Sequence, residues 1–144
     1  MTRLALLLAW LALLLGSGQA HAQLPAMEIH VHAGLEAETL RPAAGSTVTL
    51  AISMRPDKGW HGYWINPGDA GEGLSLDWQL PPGVKVGTPR FPVPETLIIS
   101  GFMNYVYERP HAILIDLQLP TGLAKGAKIP VRAEANWLAC TDRV

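Results

Sequence analysis

Cys140 is the residue of this chain best suited to covalent chemistry, because it is the one cysteine among 144 residues. A deprotonated thiol attacks a disulfide and forms a mixed disulfide, which a second thiol must then resolve. One cysteine excludes a disulfide framework within the chain and a zinc site built from several cysteines. The other interpretation of Cys140 is a small buried side chain without a chemical role.

The pattern before Cys140 favours a thiol near solvent. Apolar and polar side chains alternate over residues 129–137, with Arg132 on the polar face and Trp137 on the apolar face. If this alternation continues, Cys140 lies on the face of Arg132, opposite Trp137. The charges of Arg132 and Arg143 could then favour a thiolate.

Two histidines form a second candidate group. His30 and His32 are two residues apart, so both imidazoles lie on one face of a predicted strand. Such a pair can bind copper or zinc, but two ligands make only half of a site, and nothing sets its distance to His61 or His111. The sequence therefore predicts no metal centre and no cofactor, with His30 and His32 as weak candidates for metal ligands.

Residues 1–22 predict a cleavable secretory signal peptide. Arg3 supplies a positive charge, residues 4–15 are uncharged and apolar, and small residues precede a cleavage site before Gln23. The alternative is a membrane anchor, but the apolar run is short of the about 20 residues that a spanning helix needs. We therefore expect residues 23–144 to be exported to a compartment that permits disulfide chemistry.

The exported part consists of short apolar–polar alternations separated by clusters of proline and glycine. Alternation with a period of two is typical of strands that bury one face, and the clusters end such strands. This pattern predicts an all-β fold, an antiparallel β-sandwich of the immunoglobulin-like kind, preceded by the signal helix. The apolar positions that define the predicted strands are 27–31, 48–54, 74–80, 113–119 and 129–137.

Composition limits the classes of partner. The length allows one domain with its own core, and 49% hydrophobic residues exclude a disordered chain. A formal net charge of -1 lacks the basic surface that nucleic-acid binding needs, so we expect no nucleic-acid partner.

Several ordered motifs together resemble one family. The motifs span nearly all of the exported chain, which makes the resemblance specific. A single Asn-Pro-Gly turn alone would be a weak match. The sequence resembles the N-terminal periplasmic domain of the DsbD/ScsB family of thiol:disulfide interchange proteins, which are protein-disulfide reductases. The motifs lie at residues 60–71, 78–83, 91–94, 101–108 and 137–140.

The resemblance implies that Cys140 is the first cysteine of a redox pair. In the family a second cysteine follows a few residues later, and the chain continues into a membrane domain and a thioredoxin-like domain. Because the sequence stops at Val144, we expect residues 23–144 to be a domain truncated at its C-terminal end. Such a fragment lacks the second cysteine and is not expected to turn over alone.

The resemblance also suggests residues for a lid and for binding. In the family a loop covers the redox pair, and by position the candidate here is the segment 101–108, with Gly101 as a hinge. Aromatic side chains near it are expected either to pack in the core or to contact partners. The lid candidates are Gly101, Phe102, Asn104, Tyr105, Tyr107 and Glu108, and the binding candidates are Trp60, Tyr63, Trp64 and Trp137.

The function implied by the resemblance is the transfer of reducing equivalents in the periplasm. Electrons would come from the membrane and thioredoxin-like domains of an inner-membrane-anchored full-length chain. They would pass to thioredoxin-like periplasmic proteins, which include disulfide isomerases, cytochrome c maturation proteins and, in a copper-tolerance branch, related partners. The alternatives are a copper-handling sandwich that uses His30, His32 and either Cys140 or Met103, and a partner-docking sandwich without redox turnover.

Overall fold

The computed structural model describes residues 28–141, which form β-strands and contain no helix. The signal peptide, its Arg3 and the cleavage before Gln23 lie outside the described residues, as does Arg143. The strands are β1 (Val31–Ala37), β2 (Thr47–Pro56), β3 (Trp60–Gly68), β4 (Ser75–Gln79), β5 (Lys85–Val86), β6 (Glu95–Ile99), β7 (Phe102–Tyr107), β8 (His111–Gln118), β9 (Arg132–Asn136) and β10 (Ala139–Thr141).

The strands form three antiparallel sheets. The first sheet has the order β1-β2-β8-β5, the second β10-β3-β7-β6, and β4 pairs with β9 in the third. The longest ladder joins β2 and β8, from the pair Thr47 and Gln118 to the pair Met54 and His111. The all-β prediction is confirmed, and the antiparallel sheets are consistent with a β-sandwich. The immunoglobulin-like topology stays a prediction.

The alternating positions of β2 and β8 form the core. Every second side chain is at most 5% exposed, from Val48 to Met54 on β2 and from Ile113 to Leu117 on β8. This is expected when one face of an antiparallel sheet is buried. These side chains divide into two clusters, which lie at opposite ends of the β2–β8 ladder. One cluster contains Val31, Ile52, Met54, Leu74, Ile113 and Ile115, and the other contains Val48, Leu50, Leu117 and Leu119.

Two predicted strands differ from the structure. The first begins at Val31 rather than Met27, and Ile29, which the alternation placed inside, is 64% exposed. The last is not one strand, because β9 ends at Asn136 and pairs with β4, whereas β10 pairs with β3 in another sheet. Between them the Leu138 amide donates to the Glu72 carbonyl oxygen at 3.4 Å, which anchors the connection. The parity argument that placed Cys140 on the face of Arg132 is therefore wrong.

Candidate thiol site

Strand β10 places Cys140 against the start of β3. Cys140 lies directly opposite His61, and Ala139 lies opposite Gly62. Opposed residues of an antiparallel pair project from the same face, and so does the residue two positions further along a strand. Cys140, His61 and Tyr63 therefore share one face of the second sheet.

The hydroxyl of Tyr63 connects the other two side chains. It is hydrogen-bonded to the thiol of Cys140 and lies 3.3 Å from Nε2 of His61. His61 is 1% exposed and Tyr63 is 8% exposed, whereas Cys140 is half-buried. The site thus consists of two buried polar side chains behind one half-buried cysteine.

Burial keeps Tyr63 protonated. Desolvation is the largest cause that raises the pKa of Tyr63 above its ordinary value, followed by the hydrogen bond to Cys140 and the charge of Cys140. The hydroxyl therefore keeps its single proton for donation. When Nε2 of His61 carries a proton, it donates to the Tyr63 oxygen, and the Tyr63 hydroxyl donates to the sulfur.

Trp60 connects the start of β3 to the predicted histidine pair. Trp60 lies opposite Thr141, and its ring stacks on His30 with centroids 3.6 Å apart and planes 12° apart. Nδ1 of His30 lies 3.3 Å from one carboxylate oxygen of Asp57, and Nε2 of His32 lies 3.1 Å from the other. Asp57 thus bridges the two imidazoles, a contact that the alternation did not reveal.

The other histidines do not complete a metal site with this pair. His61 is hydrogen-bonded to Tyr63, and His111 stacks on Tyr107 with centroids 3.9 Å apart. Over residues 28–141 no group of three or more histidine, cysteine or acidic side chains is arranged to hold a metal ion.

The aromatic candidates separate into different parts of the fold. Tyr63 joins the thiol site, and Trp60 lies beside it. Trp64 meets Tyr105 edge to face with centroids 5.7 Å apart, and Trp137 packs against the core cluster around Val31. Only Tyr63 among the binding candidates is therefore hydrogen-bonded to Cys140.

The segment predicted as a lid is mostly a central strand. Phe102–Tyr107 is β7, which pairs with β3 on one side and with β6 on the other. Asn104 is 3% exposed, and its side-chain oxygen accepts a hydrogen bond from the Ala70 amide at 3.1 Å. A strand held on both sides does not swing as a loop. Ser100 and Gly101, with φ of 52° and 86°, form the turn before it.

The lid candidates Tyr107 and Glu108 lie at the C-terminal end of the segment. The Tyr107 hydroxyl donates to the Pro92 carbonyl oxygen at 2.7 Å, and burial raises the pKa of Tyr107 to about 12. Glu108 is exposed and follows β7. These contacts assign Tyr107 to packing within the domain.

Sequence reasoning did not assign His61 to the thiol. From the sequence, His61 is a candidate only as a further metal ligand beside His30 and His32, and Tyr63 only as an aromatic binding residue. The spacing of His61 and Tyr63 on one strand shows that they share a face. The pairing of β3 with β10, which brings them to Cys140, joins segments distant in sequence and leaves no local signal.

Comparison with known proteins places this chain in a family. A family model described as "Thiol:disulfide interchange protein DsbD, N-terminal" matches residues 31–144. The crystal structure of the N-terminal periplasmic domain of ScsB from Proteus mirabilis matches with a TM-score of 0.61 and 16% identity, over 83% of this chain and 44% of that chain. This likeness shows a shared fold, and this chain spans less than half the length of that structure. No curated protein matches. The family match covers most of the sequence and confirms the resemblance, and the chain therefore belongs to the DsbD N-terminal domain family.

Proposed function

We propose that this chain is a thiol–disulfide exchange module in which Cys140 is the attacking thiol. The observation that supports this most is the hydrogen bond of the Tyr63 hydroxyl to the Cys140 thiol, with His61 behind Tyr63. A half-buried thiol is open to another molecule on one side and held by polar groups on the other. An inert core cysteine would instead have apolar neighbours.

The proposed step is an exchange of sulfur–sulfur bonds. The Cys140 thiol loses a proton to solvent, and its sulfur attacks one sulfur of a partner disulfide. The partner's disulfide bond breaks as the mixed disulfide forms, and the other partner sulfur leaves as a thiolate. No net oxidation occurs in this step, because one disulfide is replaced by another.

Full reduction of the partner needs a second thiol. That thiol attacks the sulfur of Cys140 in the mixed disulfide, so the partner leaves fully reduced and the module holds a disulfide. Two electrons and two protons have then moved to the partner. Since Cys140 is the one cysteine of the sequence, we propose that the second thiol belongs to another segment of a longer chain or to another protein.

We propose Tyr63 and His61 as positioning residues for this step. A hydroxyl that donates to a sulfur stabilises the negative charge of a thiolate, and its burial strengthens the interaction. His61 orients the Tyr63 hydroxyl from behind. Of the predicted lid, only the turn at Ser100 and Gly101 lies outside the ladders that hold β7, and we propose a covering role for that turn alone.

The proposed partners are thioredoxin-like proteins in the periplasm, with electrons supplied by membrane and thioredoxin-like domains of a longer chain. The family match and the periplasmic domain of ScsB support this setting. Within residues 28–141 no helix is long and apolar enough to cross a membrane. We do not propose the copper-handling alternative, because His30 and His32 both contact Asp57 and no further observation favours it.

Mixed-disulfide formation tests the proposal. The chain is incubated with oxidised glutathione at neutral pH, and the intact mass is followed. We expect one glutathione per chain in the native state and none on the Cys140→Ser control. A native chain that gains no glutathione, although the unfolded chain does, would refute the function.

A further inference from the structure

A large apolar cavity opens at the end of the first sheet that is remote from Cys140. Its volume is about 1080 Å³. The walls come from the end of β1 and the loop after it, the start of β2, the end of β8 and the segment 123–131. The apolar side chains that line it include Leu35, Leu40, Val48, Leu50, Leu117 and Leu123.

Core residues form the floor of this cavity. Val48, Leu50, Leu117 and Leu119 make up one of the two core clusters, and each is at most 5% exposed. Protein interiors are close-packed and contain few voids larger than a water molecule. A cavity of this size over a core cluster is comparable with small-molecule sites, which range over about 300–1,000 Å³.

Three cations surround the cavity. Arg41, Lys125 and Lys128 line it together with one acidic side chain, Glu36. In the part of the chain that the structure describes, the ion pairs join other residues, and these three cations take part in none. An apolar interior with an excess of unpaired cations complements a ligand with an apolar chain and an anionic head.

We propose that this cavity binds a free long-chain fatty acid, with its chain against Leu35, Leu40 and Leu123 and its carboxylate against Arg41, Lys125 and Lys128. The site is separate from the thiol site. Strand β2 runs from Val48 at the cavity to Pro56, close to the start of β3, a span of about 25 Å at the usual rise per residue. The proposal therefore goes beyond thiol exchange and does not depend on it.

Displacement of a fluorescent fatty acid tests the proposal. The full chain is loaded with cis-parinaric acid, and hexadecanoate is titrated as competitor. The test variant carries Arg41→Gln, Lys125→Gln and Lys128→Gln. The matched control carries Arg55→Gln, Lys58→Gln and Lys85→Gln, which lowers the net charge equally but at residues that do not line the cavity.

We expect hexadecanoate to bind the parent chain and the control equally and the test variant at least tenfold more weakly. Hexadecanol should not distinguish the test variant from the control, because it lacks the carboxylate. A second variant, Ala37→Trp, places a large ring at an exposed position that lines the cavity and should abolish both ligands' binding.

Several outcomes would overturn the proposal. One is the absence of displacement by hexadecanoate, and another is an equal loss of affinity in both triple variants. Binding only to phosphatidylglycerol vesicles would assign the cavity to a membrane surface. Binding that appears only without residues 1–22 would assign it to that segment. A dimer that dissociates in the Ala37→Trp variant would assign it to a second copy of the chain.

Discussion

Cys140 and His61 lie directly opposite each other on β10 and β3, and the Tyr63 hydroxyl connects them. This relationship gives the lone thiol two buried polar neighbours. It arises because the chain leaves the β4–β9 sheet after Asn136 and joins the edge of another sheet at Ala139.

Removal of the Tyr63 hydroxyl should slow the reaction of Cys140. In Tyr63→Phe the thiolate loses its hydrogen bond, so we expect the rate with Ellman's reagent at neutral pH to fall several-fold. The buried hydrogen bond is worth about 1 kcal/mol of stability. Stopped-flow absorbance at neutral pH and urea unfolding measure the loss of rate and the loss of stability.

Tyr105→Phe is the matched control for this variant. Tyr105 is half-buried in β7, where it contacts Trp64. Its substitution should leave the rate of Cys140 with Ellman's reagent unchanged. Equal rates for the two variants would show that the Tyr63 hydroxyl has no special effect on the thiol.

Replacement of His61 should destabilise the domain more than replacement of His32. His61 is 1% exposed, so His61→Ala leaves a cavity and removes a hydrogen-bond partner of Tyr63, at a cost of about 2–4 kcal/mol. His32 has a side chain that is 51% exposed, so His32→Ala should cost at most about 1 kcal/mol. Urea unfolding of both variants measures the difference, and equal losses would contradict the burial argument.

Gly71 should be required for the position of Tyr63. Its φ is 98°, and a Cβ atom built on it would overlap the Tyr63 ring. Gly126 has a φ of 80°, and a Cβ atom built on it would meet open space, so Gly126→Ala reports the backbone strain alone. We expect Gly71→Ala to cost about 1–3 kcal/mol more than Gly126→Ala. It should also change the rate of Cys140 alkylation, which Gly126→Ala should not.

The contact between Arg90 and Asp116 should make stability depend on acid pH. Hydrogen bonds from Arg90 and then from Thr49 hold the pKa of Asp116 below its ordinary value of 3.8. A lowered pKa stabilises the folded state above the ordinary value, and the contribution is lost as pH falls through the lowered pKa. Asp116→Asn should therefore remove part of the stability loss below about pH 4. Urea unfolding from pH 6 to 2 measures it, and the same slope for Asp116→Asn and for the parent chain would contradict the assignment.

His111 should produce a second dependence on pH near neutrality. Burial, partly offset by the Arg109 carbonyl, lowers the pKa of His111 from 6.5. The folded state therefore disfavours the charged ring, and stability is lost as pH falls from 6.5 through the lowered pKa. His111→Phe keeps a ring beside Tyr107 and should flatten this region of the stability curve. A curve that stays parallel to that of the parent chain would contradict the assignment.

Local alternation predicted the parts of the fold that pack one face against the core. Val48 to Met54 and Ile113 to Leu119 alternate regularly, and both strands form as expected. The pattern could not show that the last strand divides after Asn136, because β9 and β10 pair with strands of different sheets that are distant in sequence. Cys140 could be chosen from the sequence because it is the one cysteine. Its neighbours His61 and Tyr63 could not, because the pairing of β10 with β3 joins segments that are distant in sequence.

The accessibility of the Cys140 thiol in the folded chain tests the account most directly. The rate of iodoacetamide alkylation is measured at neutral pH in buffer and in denaturing urea, with intact mass as the readout. The account predicts complete modification of Cys140 in the native chain, at a rate that Tyr63→Phe lowers and Tyr105→Phe does not. A native thiol that resists alkylation until the chain unfolds would contradict it.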